Sequence, residues 1–145
     1  MNLHFTVFGI VNKPVQTVYE GVADPAQLSR YFTTGGAKGR LESGETVTWD
    51  FHDFPGAFPV EVIKAVPNEK IVLNWGADDG KTTVTLTFKE IEAGRTKVEI
   101  SEEGWPETEA GLKASYGNCM GWTQFLSALK AYLEQGINLR EGMYK

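Results

Sequence analysis

Between Thr108 and Gln135 apolar residues recur at helical spacing, as Leu112, Tyr116, Cys119, Trp122, Leu126, Leu129 and Leu133, the pattern of one amphipathic helix. At 1.5 Å per residue it would span roughly 40 Å, longer than any strand the rest of the chain can supply, so it has to lie across a sheet. Gly136 ends it as a left-handed cap, with Ile137 set to fold back on the last turn. The second half of the stripe carries Trp122, Leu126, Leu129 and Leu133, enough to fill a core, while Gly111, Leu112, Ser115, Tyr116 and Cys119 are smaller or polar-tipped. A gap is therefore expected under the first half. Gly117 and Gly121 fall on another side, each at a cost of about 1 kcal/mol against alanine. Two explanations stay open: a close approach by a neighbouring helix, the C-terminal tail or a second copy in a homodimer, or tolerated surface glycines.

The remainder reads as the sheet. Residues 3–11 (LHFTVFGIV) are β-branched and aromatic, a strand covered on both faces. Behind Pro14, taken as the first helical position, Val15, Val18, Tyr19 and Val22 mark a short helix. Asp24, Pro25 and Gln27 open a second, which buries Leu28, Tyr31 and Phe32. The run TTGGAKG at 33–39 lacks the lysine-serine ending of a phosphate loop and reads as a flexible connector. From 45 to 103 the period is two: Val47, Trp49 and Phe51 alternate with Thr46, Thr48, Asp50 and His52. Further strands at 58–66, 69–76, 81–91 and 95–103 are separated by turn signals at Pro55-Gly56, Pro67-Asn68, Asp78-Asp79-Gly80 and Ala93-Gly94. Val84, Leu86 and Phe88 share one phase, as do Thr96, Val98, Ile100 and Glu102, so one face of the sheet is dry and needs the long helix as its cover. The expectation is a single α+β domain over residues 1–145: strand, two short helices, antiparallel meander, long helix.

Charge and cysteine content exclude several classes of function. Fourteen basic residues stand against nineteen acidic ones with no basic cluster, which excludes a surface tracking phosphates and so nucleic acid. The N-terminus has no basic region leading into an apolar run, and no stretch of 18 apolar residues occurs, so a cytoplasmic protein without a membrane span is expected. The one cysteine, Cys119, has no histidine partner in sight and reads as a small packed hydrophobe. His4 and His52 are too far apart to suggest a metal, and no cofactor motif is present.

Four segments carry a resemblance: GWTQFLSALKAYLE at 121–134, RLESGETVTW at 40–49, VIKAVPNEKIVLNW at 62–75 and TKVEISEEGWPE at 96–107. Together they resemble the C-terminal-domain family of the activator of the heat-shock-protein-90 ATPase, within the START-like, helix-grip (SRPBCC) superfamily. The resemblance covers nearly the whole chain and implies a curved antiparallel sheet gripping a long C-terminal helix around a cavity. Members of the wider superfamily bind lipids, hormones or polyketides, and a minority catalyse cyclisation or condensation, so the fold does not choose among them. The separate N-terminal domain by which the eukaryotic co-chaperone engages its ATPase has no counterpart in these residues, which puts a chaperone partner third.

A small hydrophobic ligand in that cavity is the first expectation, and a cyclase- or hydrolase-like enzyme using the same cavity the second, since no acid–base constellation stands out. Expected walls are Trp49, Phe51, Trp75, Phe88 and Ile100 from the sheet and Leu112, Ser115, Tyr116 and Cys119 from the helix. Tyr116 and Glu102 are the expected polar groups, although a carboxylate at a strand end is more often solvated than catalytic.

Overall fold

A computed structural model describes residues 1–76 and 81–145, with Pro55 described by its backbone alone; the turn expected at Asp78-Asp79-Gly80 lies outside the described residues. The elements are β1 (His4–Val11), α1 (Val15–Ala23), α2 (Pro25–Tyr31), β2 (Gly36–Lys38), β3 (Thr46–Phe51), β4 (Phe54–Val66), β5 (Lys70–Trp75), β6 (Thr82–Glu92), β7 (Arg95–Glu103) and α3 (Glu109–Gln135). Seven strands form one antiparallel sheet in the order β1-β7-β6-β5-β4-β3-β2, so β1 closes back beside β7. This is the expected α+β, helix-grip arrangement.

The period-two reading holds where it was strongest. Val47, Trp49 and Phe51, then Val84, Leu86 and Phe88, and Val98 with Ile100 are all buried on the face covered by helices. Two details differ. The connector at 33–39 contains β2, which pairs with β3 over Gly36–Lys38, and Gly35 donates to Asp50 O at 2.8 Å. A Cβ at Gly35 would come within 2.7 Å of the Asp50 side chain, so the glycine is needed for this close approach. Pro55-Gly56 is not the β3–β4 turn: Phe51 already faces Phe54, and the turn is His52-Asp53. The register shift beside it lengthens β4 to thirteen residues.

Asp24 caps α2 through Ala26 N at 2.9 Å, but Gln27 accepts from Tyr132 Oη rather than closing a capping box. Pro14 is the residue before α1, not its first. Thr108 caps α3 by accepting from Gly111 N at 3.0 Å. At its far end Gly136 takes φ 67°, and Ile137 N donates to Ala131 O, the left-handed cap expected. Ile137 itself stays half exposed and does not fold back.

Helix α3 lies closest to β1, with Leu126 against Gly9, and meets α1 through Leu133 against Gly21. Trp122, Phe125, Leu126, Ala128 and Leu129 are buried, joined by Gly111 and Ser115. The buried stripe therefore runs along small residues in the first half, whereas Leu112 and Tyr116 are 36% and 65% exposed. At 100° per residue Tyr116 sits about 120° from Trp122 on one flank, and Gly121 about 100° away on the other. In the first half large side chains drew the expected stripe onto the wrong flank, while Trp122, Leu126 and Leu129 are buried as expected.

Candidate functional site: a cleft between the sheet and the long helix

Because α3 sits against β1, its other flank stands off from β3, β4 and β5. The space between is a cleft of about 580 Å³. Phe51, Phe58, Trp75 and Thr82 come from the sheet, Tyr31 and Phe32 close one end, and Ala114, Gly117, Asn118, Gly121, Phe125 and Ala128 form the helix wall. Cβ atoms added at Gly117 or Gly121 would meet nothing within 4 Å. Among the described residues neither a second helix nor the tail comes that close, so the two glycines face open volume. Phe32 ties the lining together, edge-on to Trp49, Phe51 and Phe125 at 5.3, 5.0 and 4.7 Å between centroids.

The inner floor is organised by Glu102, which is 1% exposed. Its Oε2 accepts from Trp75 Nε1 at 3.1 Å, Thr82 Oγ1 at 2.5 Å and Asn118 Nδ2 at 2.9 Å, and its Oε1 accepts from Trp122 Nε1 at 2.8 Å. Two of these donors stand on the sheet and two on α3, so one carboxylate joins both layers. Four donors fill its acceptor capacity, which is what makes burial of a charged group without a cation tolerable. Glu102 is therefore neither solvated at a strand end nor at the cavity mouth; it is buried on the dry phase of its strand.

The mouth is built differently. Arg140, just beyond α3, donates through Nη1 and Nη2 to Asp53 Oδ2 and Oδ1 at 2.6 and 2.7 Å, with both side chains almost fully buried. Its guanidinium lies 4.5 Å from the centre of the Tyr144 ring and 5.7 Å from that of Phe51, and Tyr144 meets Phe54 edge-on. Residues 140–145 are thereby laid along the mouth. Arg140 beside Asp53 holds that carboxyl below its usual range, and burial raises the Tyr144 phenol. Burial also pushes Tyr31 well above the ordinary phenol value, so it stays protonated and donates to Gly21 O at 2.8 Å.

Of the ten side chains expected at the site, the structure places Phe51 and Trp75 on the cleft wall and Glu102 directly beneath the floor. Trp49, Phe88 and Ile100 lie behind the lining in the core; Phe88 packs on Tyr19 rather than on open space. Ser115 is buried under α3, its hydroxyl turned to Leu112 O, while Leu112, Tyr116 and Cys119 stand on the flank away from the cleft. The gap runs from Ala114 to Ala128, so it does take in much of the first half of α3, but along a different flank from the one expected. Missed from sequence were Gly117, Asn118, Gly121 and Phe125. Their signal was present as small residues at 114, 117, 121 and 128, a stripe at helical spacing. Among the described residues no group of three or more His, Cys, Asp or Glu side chains could hold a metal, and no helix is long and apolar enough to cross a membrane.

A seven-stranded antiparallel sheet curved about a long C-terminal helix, with a cleft between them, defines a helix-grip protein of START-like type. The family model described as activator of Hsp90 ATPase homolog 1-like protein matches residues 12–134, and the chain belongs to that family. Among solved structures, the protein SSP2350 of Staphylococcus saprophyticus is 28% identical, with 95% of this chain and 96% of that one covered at a TM-score of 0.80. The Aha1 dimer of Colwellia psychrerythraea is 19% identical over 92% and 98% of the two chains, TM-score 0.75. PFC0360w, an HSP90 activator of Plasmodium falciparum, is 22% identical over 90% and 96%, TM-score 0.74. These last two likenesses reach the fold alone. No curated protein matches the chain.

Proposed function

We propose that this chain binds a small apolar ligand in the cleft between the sheet and α3. The observation that carries the reading is the pair Gly117 and Gly121, whose missing side chains open the helix wall opposite an aromatic one. A volume of about 580 Å³ is in the range of small-molecule sites, and a mostly apolar lining with a few convergent polar groups is their usual composition. Catalysis in the same cleft has less support, because Glu102 is buried beneath the floor, with three donors on Oε2 and the Trp122 indole on Oε1.

Native mass spectrometry of the protein purified from its own host tests this directly. The expected result is a retained small molecule in the wild type that is lost in Gly121→Phe, whose ring would fill the opening without displacing backbone. A reproducibly empty wild type that accelerates ATP turnover by the heat-shock-protein-90 chaperone would replace the proposal with the co-chaperone reading.

A further inference from the structure

Three of the four donor groups around Glu102 spend their only hydrogen on it before any ligand arrives, while Asn118 Nδ2 gives it one of two. Trp75 and Trp122 each have one N–H, and both point at the carboxylate. Thr82 spends its only hydrogen on Oε2, so towards the cleft its hydroxyl can only accept. Asn118 has to present Nδ2 to the carboxylate, since the reverse orientation would set its carbonyl oxygen against a negative group. That fixes Asn118 Oδ1 as the outward end, and among the described residues it has no hydrogen-bond partner. It is not sealed from solvent and opens into the cleft. Gln124 lines the same helix wall, but its Oε1 is buried, with no hydrogen-bond partner among the described residues, and does not face the cleft. At the mouth both terminal nitrogens of Arg140 are engaged by Asp53, and Lys145 stands exposed on the rim, away from the floor formed around Glu102.

We propose that Glu102, by drawing four donors onto itself, turns the inner floor into a set of acceptors that selects ligands bearing a hydroxyl or N–H group and rejects carboxylates. This rests on the ligand-binding reading above and adds the chemical class. A ligand does not touch Glu102, which is buried beneath the floor; it meets Asn118 Oδ1 and Thr82 Oγ1, which Glu102 aims. A carboxylate placed there would face two acceptors with a buried negative charge behind them, leaving charge uncompensated on both sides.

Isothermal titration calorimetry with three matched probes tests the inference: 2-naphthol, which donates; 2-methoxynaphthalene, which only accepts; and 2-naphthoate, which is anionic. The wild type is expected to bind 2-naphthol about tenfold more tightly than the methyl ether, the scale of one buried hydrogen bond. No heat is expected from 2-naphthoate at concentrations that saturate with 2-naphthol. In Asn118→Leu, which keeps the helix and the apolar wall, the preference for 2-naphthol over the ether should shrink to under threefold. Equal binding of naphthol and ether by the wild type, or naphthoate binding as tight as naphthol, overturns the inference and leaves the ligand-binding reading standing. If none of the three binds to folded protein, both fall together.

Discussion

Glu102 and Asp53 each bring a carboxylate out of water at the edge of the cleft, and they are held by opposite means. Glu102 has four neutral donors drawn from β5, β6 and two turns of α3, so its stabilisation is spread over elements that are already packed. Asp53 has one cation, delivered through two short bonds by a residue beyond the last helix. Distributed contacts survive the loss of one member, whereas a bidentate pair is present or absent as a unit. The difference teaches that the inner floor belongs to the core, while the mouth depends on one joint between the β3–β4 turn and the tail.

The largest effect should come from Glu102→Ala, which leaves two indole N–H groups, an amide and a hydroxyl without their partner. At about 1–3 kcal/mol for each buried donor, and with incomplete additivity, unfolding in denaturant should show a loss on the order of 5 kcal/mol. A loss near 1 kcal/mol would mean that water already reaches the floor. Arg140→Ala comes next, at about 3 kcal/mol, the low end for a broken buried pair because the tail can lift and hydrate Asp53. Adding Asp53→Ala to that variant should restore part of the loss; a purely additive double variant would remove the pair as a unit.

Acid should separate the two carboxylates further. The folded-state pKa of Asp53 is depressed by Arg140, so its contribution is present above the ordinary carboxylate range and disappears as pH falls below about 4. The stability gap between wild type and Arg140→Ala, measured by denaturation at stepwise lower pH, should narrow through that window. A gap that stays constant down to pH 2 would contradict it. The smallest effect lies on the helix wall between the two ends. Gly121→Ala places a methyl group where nothing stands within 4 Å and should stabilise the fold by up to about 1 kcal/mol; thermal unfolding at a lower temperature than wild type would show that the space is not free.

The sheet was legible because burial on one face imposes alternation, and Trp49 or Leu86 announces that phase by size alone. The same logic placed Glu102 on the dry face, but sequence could not show that Thr82, Asn118 and two indoles converge on it, since those partners come from three elements. Along α3 the reading failed where the functional surface is made of what is missing. Leu112 and Tyr116 outweigh Gly117 and Ala114 in any hydrophobic periodicity, although the small residues mark the wall. Asp53 and Arg140 are 87 positions apart and lie on no periodic stripe, so only the folded chain brings them together. The strand at Gly36–Lys38 likewise exists because β3 offers it an edge, not because its own residues favour extension.

The tryptophans have an optical consequence. Trp49, Trp75 and Trp122 form a row with centroids 5.7 and 5.6 Å apart, inclined by 80° and 44°, and they are three of the four in the chain. Chromophores so near and so skewed share their excitation, and the handedness of the row is written into near-ultraviolet circular dichroism. Trp75 and Trp122 border the cleft, while Trp49 is locked in the core and serves as a fixed reference. A molecule placed in the cleft would meet two of these indoles and leave the third untouched, a contrast to be read without dye or label.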